Sequence, residues 1–329
     1  MHETTRLRRC GRVFIRLSRI GAVILVLAAV CGSGRRAAAS EFGVSSYRPG
    51  LMDLFAGYSF PPGSLFVKDL FLYQDARSHV VAEGQGIGFH IHNVAYTDAL
   101  FAAYATKIRI FGSYWALAVL PQVRITDQTI IGGPVRLPHI KQTSTVAGLG
   151  DLIVLPYLLG WKFGEFHLNT DLMVYMPTGS YDRQRIIDIG DNRWAFEPDV
   201  GVTWMHERSG IEASVFIGYT VNTKNNASHY LSGDEFHADF ALVEHFPHGL
   251  ILGMAGYAFQ QTTGDSGSGA ILGPFKGRVI ALGPLTGVTI PVMRHPVTFT
   301  FKYTVEFEAQ NRLTGNELWL TVNCPFFAN

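Results

Sequence analysis

Cysteine is nearly missing from this chain, with three among 329 residues: Cys10, Cys31 and Cys324. Two of these fall in the first forty residues. A chain cut after that leader keeps Cys324 alone, which has no intrachain disulfide partner. Charge is also scarce, at 16% of all residues against about 25% in a typical soluble domain. Beyond the N-terminal segment no run of 18 apolar residues exists, which excludes crossing a membrane by helices. No basic excess remains for a nucleic-acid partner. A Pro/Ser-rich linker, a charge block and a tandem repeat are all absent, so nothing marks a domain boundary.

What is present begins with an export leader over residues 1–39. Arg6, Arg8, Arg9, Arg12, Arg16 and Arg19 form a basic start, Ile20 to Val30 an apolar stretch, and Ala37-Ala38-Ala39 before Ser40 a cleavage site. The apolar stretch is too short for the roughly 20 residues of a spanning helix. Cleavage turns 27 basic and 26 acidic residues into 19 and 25, a net charge near −6. Residues 40–64, with Pro49, Pro61 and Pro62, form a periplasmic lead-in or a plug, and 65–329 form one domain.

That domain alternates. Val297, Phe299, Phe301, Tyr303, Val305 and Phe307 are apolar, while Thr298, Thr300, Lys302, Thr304 and Glu306 between them are polar. Successive strand side chains point to opposite faces, so the segment is a two-sided ribbon. Period-2 segments bounded by turn residues predict about twelve strands, with ten to fourteen allowed: 65–75, 86–102, 107–124, 146–160, 166–177, 194–206, 211–222, 234–246, 250–262, 274–290, 297–308 and 316–323. The segment from Gly86 to Ala102 is less regular, and its tail admits a helix.

The connections alternate as well. Long polar ones (76–85, 125–145, 178–193, 223–233, 263–273 and 309–315) take turns with short ones. An up-and-down outer-membrane barrel has this rhythm. The alternative is a soluble sandwich or secreted barrel, because period 2 alone does not say which face looks outward. Strand length, low charge and aromatics near strand ends (Trp161, Tyr175, Trp194, Trp204, Tyr219, Tyr257, Trp319) favour an all-β, antiparallel transmembrane barrel in a Gram-negative-type outer membrane. In hydrocarbon an unpaired backbone group costs several kcal/mol, so the sheet must close. Its lumen would then take Arg109, His167, Asp171, Glu212, His237, Asp239, Lys302, Glu306 and Glu308. The last three, on the eleventh expected strand, are either a brace for a narrow barrel or a polar track for solute.

Ordered motifs add a resemblance. Gly148-Leu149-Gly150-Asp151-Leu152, Pro177-Thr178-Gly179-Ser180-Tyr181 and Gly190-Asp191-Asn192-Arg193-Trp194 come first. Ser232-Gly233-Asp234-Glu235-Phe236-His237, Gly264-Asp265-Ser266-Gly267, Lys276-Gly277-Arg278 and Asn311-Arg312 follow in order. The set, between about residues 50 and 322, resembles the outer-membrane β-barrel family named for the meta pathway of phenol degradation. The resemblance implies a channel for small hydrophobic or aromatic compounds, working by passive diffusion, with no enzyme activity and no cofactor. Its partners would be those solutes, outer-membrane lipid and the barrel-assembly machinery. Three other readings stand beside it: a general porin for hydrophilic solutes, an outer-membrane lipid-modifying hydrolase, and a scaffolding or adhesion barrel. The assembly signal is either Trp319–Val322 or Phe326-Phe327, since Ala328-Asn329 end the chain.

Two local patterns invite chemistry and are set aside. Gly264-Asp265-Ser266-Gly267 spells a serine-protease nucleophile segment, yet lies in a Gly/Ser-rich loop with no base identified beside it. His90 and His92 share one strand face, but a tight metal site needs three or four ligands.

Overall fold

The computed structural model describes residues 45–82, 87–134, 140–185, 187–270, 273–293 and 295–326. The leader reading therefore lies outside the described residues, and so does the start of the 40–64 segment. Among the described residues there are fourteen strand segments: β1 (Leu65–Ala82), β2 (Ile87–Ile110), β3 (Ser113–Leu120), β4 (Gln122–Pro134), β5 (Ile140–Leu149), β6 (Leu152–Phe163), β7 (Phe166–Met176), β8 (Ala195–His206), β9 (Ile211–Asn222), β10 (Glu235–His245), β11 (Leu250–Gln261), β12 (Arg278–Val292), β13 (His295–Gln310) and β14 (Thr314–Phe326).

Two of these are interruptions rather than extra strands. β3 and β4 are one stave broken at Pro121, which lacks a backbone donor, and both pair with β2. β5 and β6 are one stave broken at Gly150-Asp151, where Gly150 N still donates to Gln122 O at 2.9 Å. The result is a twelve-stave antiparallel barrel. It closes through β1, which pairs with β14 on one side and β2 on the other. Closure leaves that ring without an edge, as a sheet in hydrocarbon requires.

Exposure settles which face looks out. On β9, Val215, Ile217, Tyr219 and Val221 are exposed, while Glu212, Ser214, Phe216 and Thr220 are buried. β13 does the same, with Phe299, Phe301, Val305 and Phe307 outside and Thr298, Thr300, Lys302, Thr304 and Glu306 inside. A soluble domain does not expose apolar surface on this scale. Asp69 on β1 and Asp98 on β2 are exceptions, exposed among these outward apolar residues.

Three expectations need correction. The tail of 86–102 is strand, because β2 runs from Ile87 to Ile110 and pairs with β1 through Tyr104. The long loops placed at 76–85 and 125–145 are largely strand, since β1, β2, β4 and β5 extend past the level at which β7 ends. Leu152, the first residue of β6, pairs with Met176, the last of β7. Polar residues there form outward ladders, such as Thr129–Thr143 at 3.1 Å, so polarity was no sign of a loop. Of the seven aromatics placed near an outer girdle, Tyr175, Tyr257 and Trp319 instead point inward and are at most 3% exposed. Each has a carboxylate partner inside: Glu197, Glu306 and Glu317 respectively.

Candidate functional site: an internal strap and an apolar chamber

Residues 45–64, here called the strap, are bound to the barrel's inner wall. Their backbone forms no strand, so its N–H and C=O groups need other partners. The inward polar residues supply them. Asp239 on β10 accepts from Tyr47 Oη at 2.5 Å, from Gly50 N at 3.0 Å and from Met52 N at 3.1 Å. Glu212 on β9 accepts from Phe55 N at 2.6 Å. Thr203 on β8 accepts from Gly57 N at 2.9 Å, and Asn169 Nδ2 on β7 donates to Ala56 O at 2.5 Å.

Gly201 allows the close approach: a Cβ there would lie 2.0 Å from Ala56 O. On the other side Lys302 donates to Gly50 O at 2.5 Å and pairs with Asp53 at 3.2 Å. Lys68 reaches the same carboxylate at 3.4 Å. Burial alone would raise the Asp53 carboxyl, but Lys302 and Lys68 hold it well below the usual carboxylate range. Two strap tyrosines stack on histidines: Tyr47 on His237 at 3.5 Å and Tyr58 on His167 at 3.9 Å.

Below the strap lies a chamber of about 450 Å³, within the size range of small-molecule sites. Its wall is mainly apolar, lined by residues that include Leu51, Phe55, Phe60, Phe66, Phe101, Leu155, Met173 and Phe216, with Tyr58, Ser59, Lys68, Asn169, Asp171, Thr289, Thr298 and Asn323 as its polar members. It reaches Pro296 and Pro325 at the short-turn end. A second, smaller cavity of about 60 Å³, with a mixed polar and apolar lining, lies toward the long loops beside Ser46, Arg48, Arg124, Asp151 and Asp191. Leu51, Leu70, Leu120 and Ile153 border both cavities. One layer of aliphatic side chains separates them.

Of the nine lumen residues expected from sequence, His167, Asp171, Glu212, His237, Asp239, Lys302 and Glu306 are buried inside. Arg109 is not: it is exposed at the β2–β3 turn, where it stacks on Tyr114 at 4.6 Å and donates to its hydroxyl at 2.8 Å. A bulge between Ala105 and Arg109 breaks the alternation that placed it inside. Glu308 is half-exposed and pairs with Arg278 at the upper edge of β13. The set Lys302, Glu306 and Glu308 is therefore not one cluster. Lys302 holds the strap, Glu306 accepts from Tyr257 Oη at 2.8 Å and Gly315 N at 2.7 Å, and Glu308 holds Arg278.

His90 and His92 do share a face, but it is the outer one. His90 is exposed, and His92 bonds Asp75 at 2.9 Å. Ser266 is exposed and its backbone bridges to Leu231, while the neighbouring Asp265 is buried, accepting from Tyr230 Oη at 2.6 Å and Gln261 Nε2 at 2.7 Å. That loop is a lock between connections.

Sequence reasoning passed over Glu197, Asp199, Thr203 and the strap's own Tyr47 and Asp53. The first three follow from the same period-2 pattern, because Glu197 and Asp199 alternate with outward Phe196 and Val200. The strap residues carry no such signal.

A barrel of twelve staves, with residues 45–64 bound along its inner wall and an apolar hollow beside them, defines the class: a closed transmembrane-type β-barrel with an internal strap. The chain belongs to the family described as "Putative MetA-pathway of phenol degradation", whose model matches residues 82–322. The COG4313 outer membrane channel from Pseudomonas putida F1 is 13% identical and superposes with a TM-score of 0.61, over 84% of this chain and 100% of that one. A FadL homologue from Pseudomonas aeruginosa is 7% identical, with a TM-score of 0.42 over 89% and 98%. The monoaromatic hydrocarbon channel TodX, as a deletion mutant, is 8% identical, with a TM-score of 0.38 over 81% and 91%. A comparison with curated proteins finds no match.

Proposed function

We propose that the protein is an outer-membrane conduit for small hydrophobic or aromatic compounds, carrying them by passive diffusion without covalent chemistry. The observation that carries this reading is the 450 Å³ chamber inside the lumen, walled mainly by aliphatic and aromatic side chains. Burying apolar solute surface there is favourable by roughly 25 cal/mol per Å², while a hydrophilic solute would exchange full hydration for a few polar groups on a mainly apolar wall. Membership of a family named for phenol degradation, and a fold shared with an outer membrane channel, support the same conclusion.

On this reading residues 1–39 direct export and are removed. The barrel-assembly machinery inserts the barrel into the outer membrane, the outward apolar residues meet lipid, and the strap acts as a plug. The solute's route crosses the aliphatic layer of Leu51, Leu70, Leu120 and Ile153.

Uptake of a labelled monoaromatic compound by cells carrying single variants tests this. Leu120→Trp thickens the layer and is expected to slow uptake about tenfold, equivalent to about 1.4 kcal/mol on the barrier. Leu51→Ala thins it and is expected to speed uptake. A steady, large ionic current through the unaltered protein, with aromatic uptake indifferent to both variants, would establish the porin reading instead.

A further inference from the structure

Behind the strap, the inner face of β8 and β10 holds side chains that neither the strap nor the chamber uses fully. Glu197, Asp199 and His237 are each at most 1% exposed. One ligand atom from each lies within 4.8 Å of the others. His237 Nε2 stands 3.2 Å from Glu197 Oε1 and 3.8 Å from Asp199 Oδ1. In a tetrahedral site with bonds of about 2.1 Å, neighbouring donors are about 3.4 Å apart. Small side-chain adjustments bring these three to that spacing.

Acidic clusters are common without a ligand, and three further features distinguish this one. Both carboxylate oxygens of Asp199 are buried and receive no N–H or hydroxyl donor, their one hydrogen-bonding neighbour being the Asp171 carboxyl; native structures leave few such groups unsatisfied. Among the described residues no lysine or arginine forms a salt bridge with Glu197, Asp199 or Asp171, and His237 is the cluster's one basic group.

The intervening strand makes room in a specific place. Gly218 on β9 is the register partner of both Asp199 and His237. A Cβ at that position would lie 2.1 Å from Asp199 Oδ1 and 2.2 Å from His237 Nε2. Only glycine lets the two donor atoms converge there. Glu197 is oriented from behind by the hydroxyls of Tyr175, at 3.1 Å, and Thr220, in the manner of groups that position metal-binding carboxylates.

We propose that Glu197, Asp199 and His237 form a divalent-cation site in the barrel wall, taking an ion of the zinc class. Asp171, the register partner of Asp199 on β7, hydrogen-bonds with the Asp199 carboxyl inside the cluster and is the candidate fourth donor. An imidazole among oxygen donors favours a transition ion over calcium or magnesium. Tyr47 stacks on the His237 ring, so a bound ion would stiffen the wall at the point where the strap docks.

The test uses the full-length barrel, refolded into detergent with and without zinc and dialysed free of loose ion, with metal measured by mass spectrometry. Heat-dependent gel mobility verifies folding. Close to one zinc per barrel is expected, with none retained when calcium alone is supplied. Asp199→Asn and His237→Gln are each expected to weaken binding more than about 100-fold, beyond the effect of removing an outer-shell partner. Gly218→Ala keeps every ligand but fills the space between them, and is expected to abolish retention. Where a ligand variant does not fold, Glu197→Gln replaces it. A folded wild-type barrel that neither retains nor titrates with zinc would overturn the proposal and leave the carboxylates sharing protons instead. Equal zinc retention by folded Asp199→Asn and His237→Gln would overturn it too.

Discussion

Two walls of the lumen are built on the same strand alternation and do opposite things. The inward residues of β7 to β10 include Asn169, Thr203, Glu212, His237 and Asp239, and several of them grip the strap backbone. The inward residues of β3 and β6 include Ala116, Ala118, Leu120, Ile153, Leu155 and Leu158, and the strap makes no comparable polar bonds to them. The asymmetry follows from the strap's backbone, which lacks ladder partners and takes most of its side-chain partners from β7 to β10, with Lys302 on β13 adding one to Gly50 O. Once the polar wall has met that demand, the adjoining staves are free to be greasy. A hollow remains where the strap does not fill the barrel. Docking and cavity are thus two results of one division of labour.

The division breaks most sharply at Asp239. Removing its carboxylate by Asp239→Ala deprives Tyr47 Oη, Gly50 N and Met52 N of their shared acceptor. Each buried donor left unpaired costs about 1–3 kcal/mol, so the strap's docking is expected to weaken by about 3–5 kcal/mol. Hydrogen-exchange mass spectrometry should show protection lost over residues 47–57, together with higher ionic conductance. Unchanged protection would mean that the polar wall does not hold the strap.

A smaller effect is expected at the rim. Asp151 lies at the break between β5 and β6, where its two oxygens accept from Gly179 N and Asp191 N, each at 2.7 Å. These bonds tie down the 177–194 connection. Burial first, and then neighbouring Asp191, push the Asp151 carboxyl up to about 6. The sign follows from the direction. A carboxyl raised in the folded state contributes stability that is complete below its ordinary value near 4 and is lost as pH rises through about 6. The swing is at most about 3 kcal/mol. Barrel unfolding by denaturant is therefore expected to have a pH-dependent component between pH 4 and 6 that Asp151→Asn flattens. An unaltered profile in that variant would assign the dependence to other groups.

The barrel was legible in the sequence because its signal is local. Val215, Ile217 and Tyr219 alternate with Phe216, Gly218 and Thr220 whatever lies across the lumen. Inward orientation came with it for His167, Asp171, Glu212, His237, Asp239, Lys302 and Glu306. It failed at Arg109, where a bulge resets the period, and at Tyr175, Tyr257 and Trp319, where an aromatic near a strand end suggested a girdle. Those three have carboxylate partners inside the lumen. Glu197 is two residues from the end of its β8 strand yet 22 residues from Tyr175 in sequence, a distance that alternation cannot bridge. The strap was least legible of all. Tyr47 meets Asp239 across 192 residues, and nothing periodic links them. The chamber is harder still to read, since it is defined by what the strap leaves unfilled.

The smallest expected effect gives the comparison its finest test. Leu155 on β6 is 2% exposed and borders the chamber. In a close-packed core, Leu→Ala costs about 2–5 kcal/mol, growing with the cavity it opens. Leu155 is packed on nearly every side, but the space its truncation frees opens into the chamber beside it rather than forming a new sealed cavity, which keeps the cavity cost small. Leu155→Ala is therefore expected to lower stability by only about 1–2 kcal/mol while leaving strap protection intact. The chamber it enlarges should still admit monoaromatic compounds. A cost near 5 kcal/mol would show that the chamber collapses onto Leu155 in the folded barrel. The apolar wall would then be packed core, and the contrast with the polar wall would be one of chemistry alone.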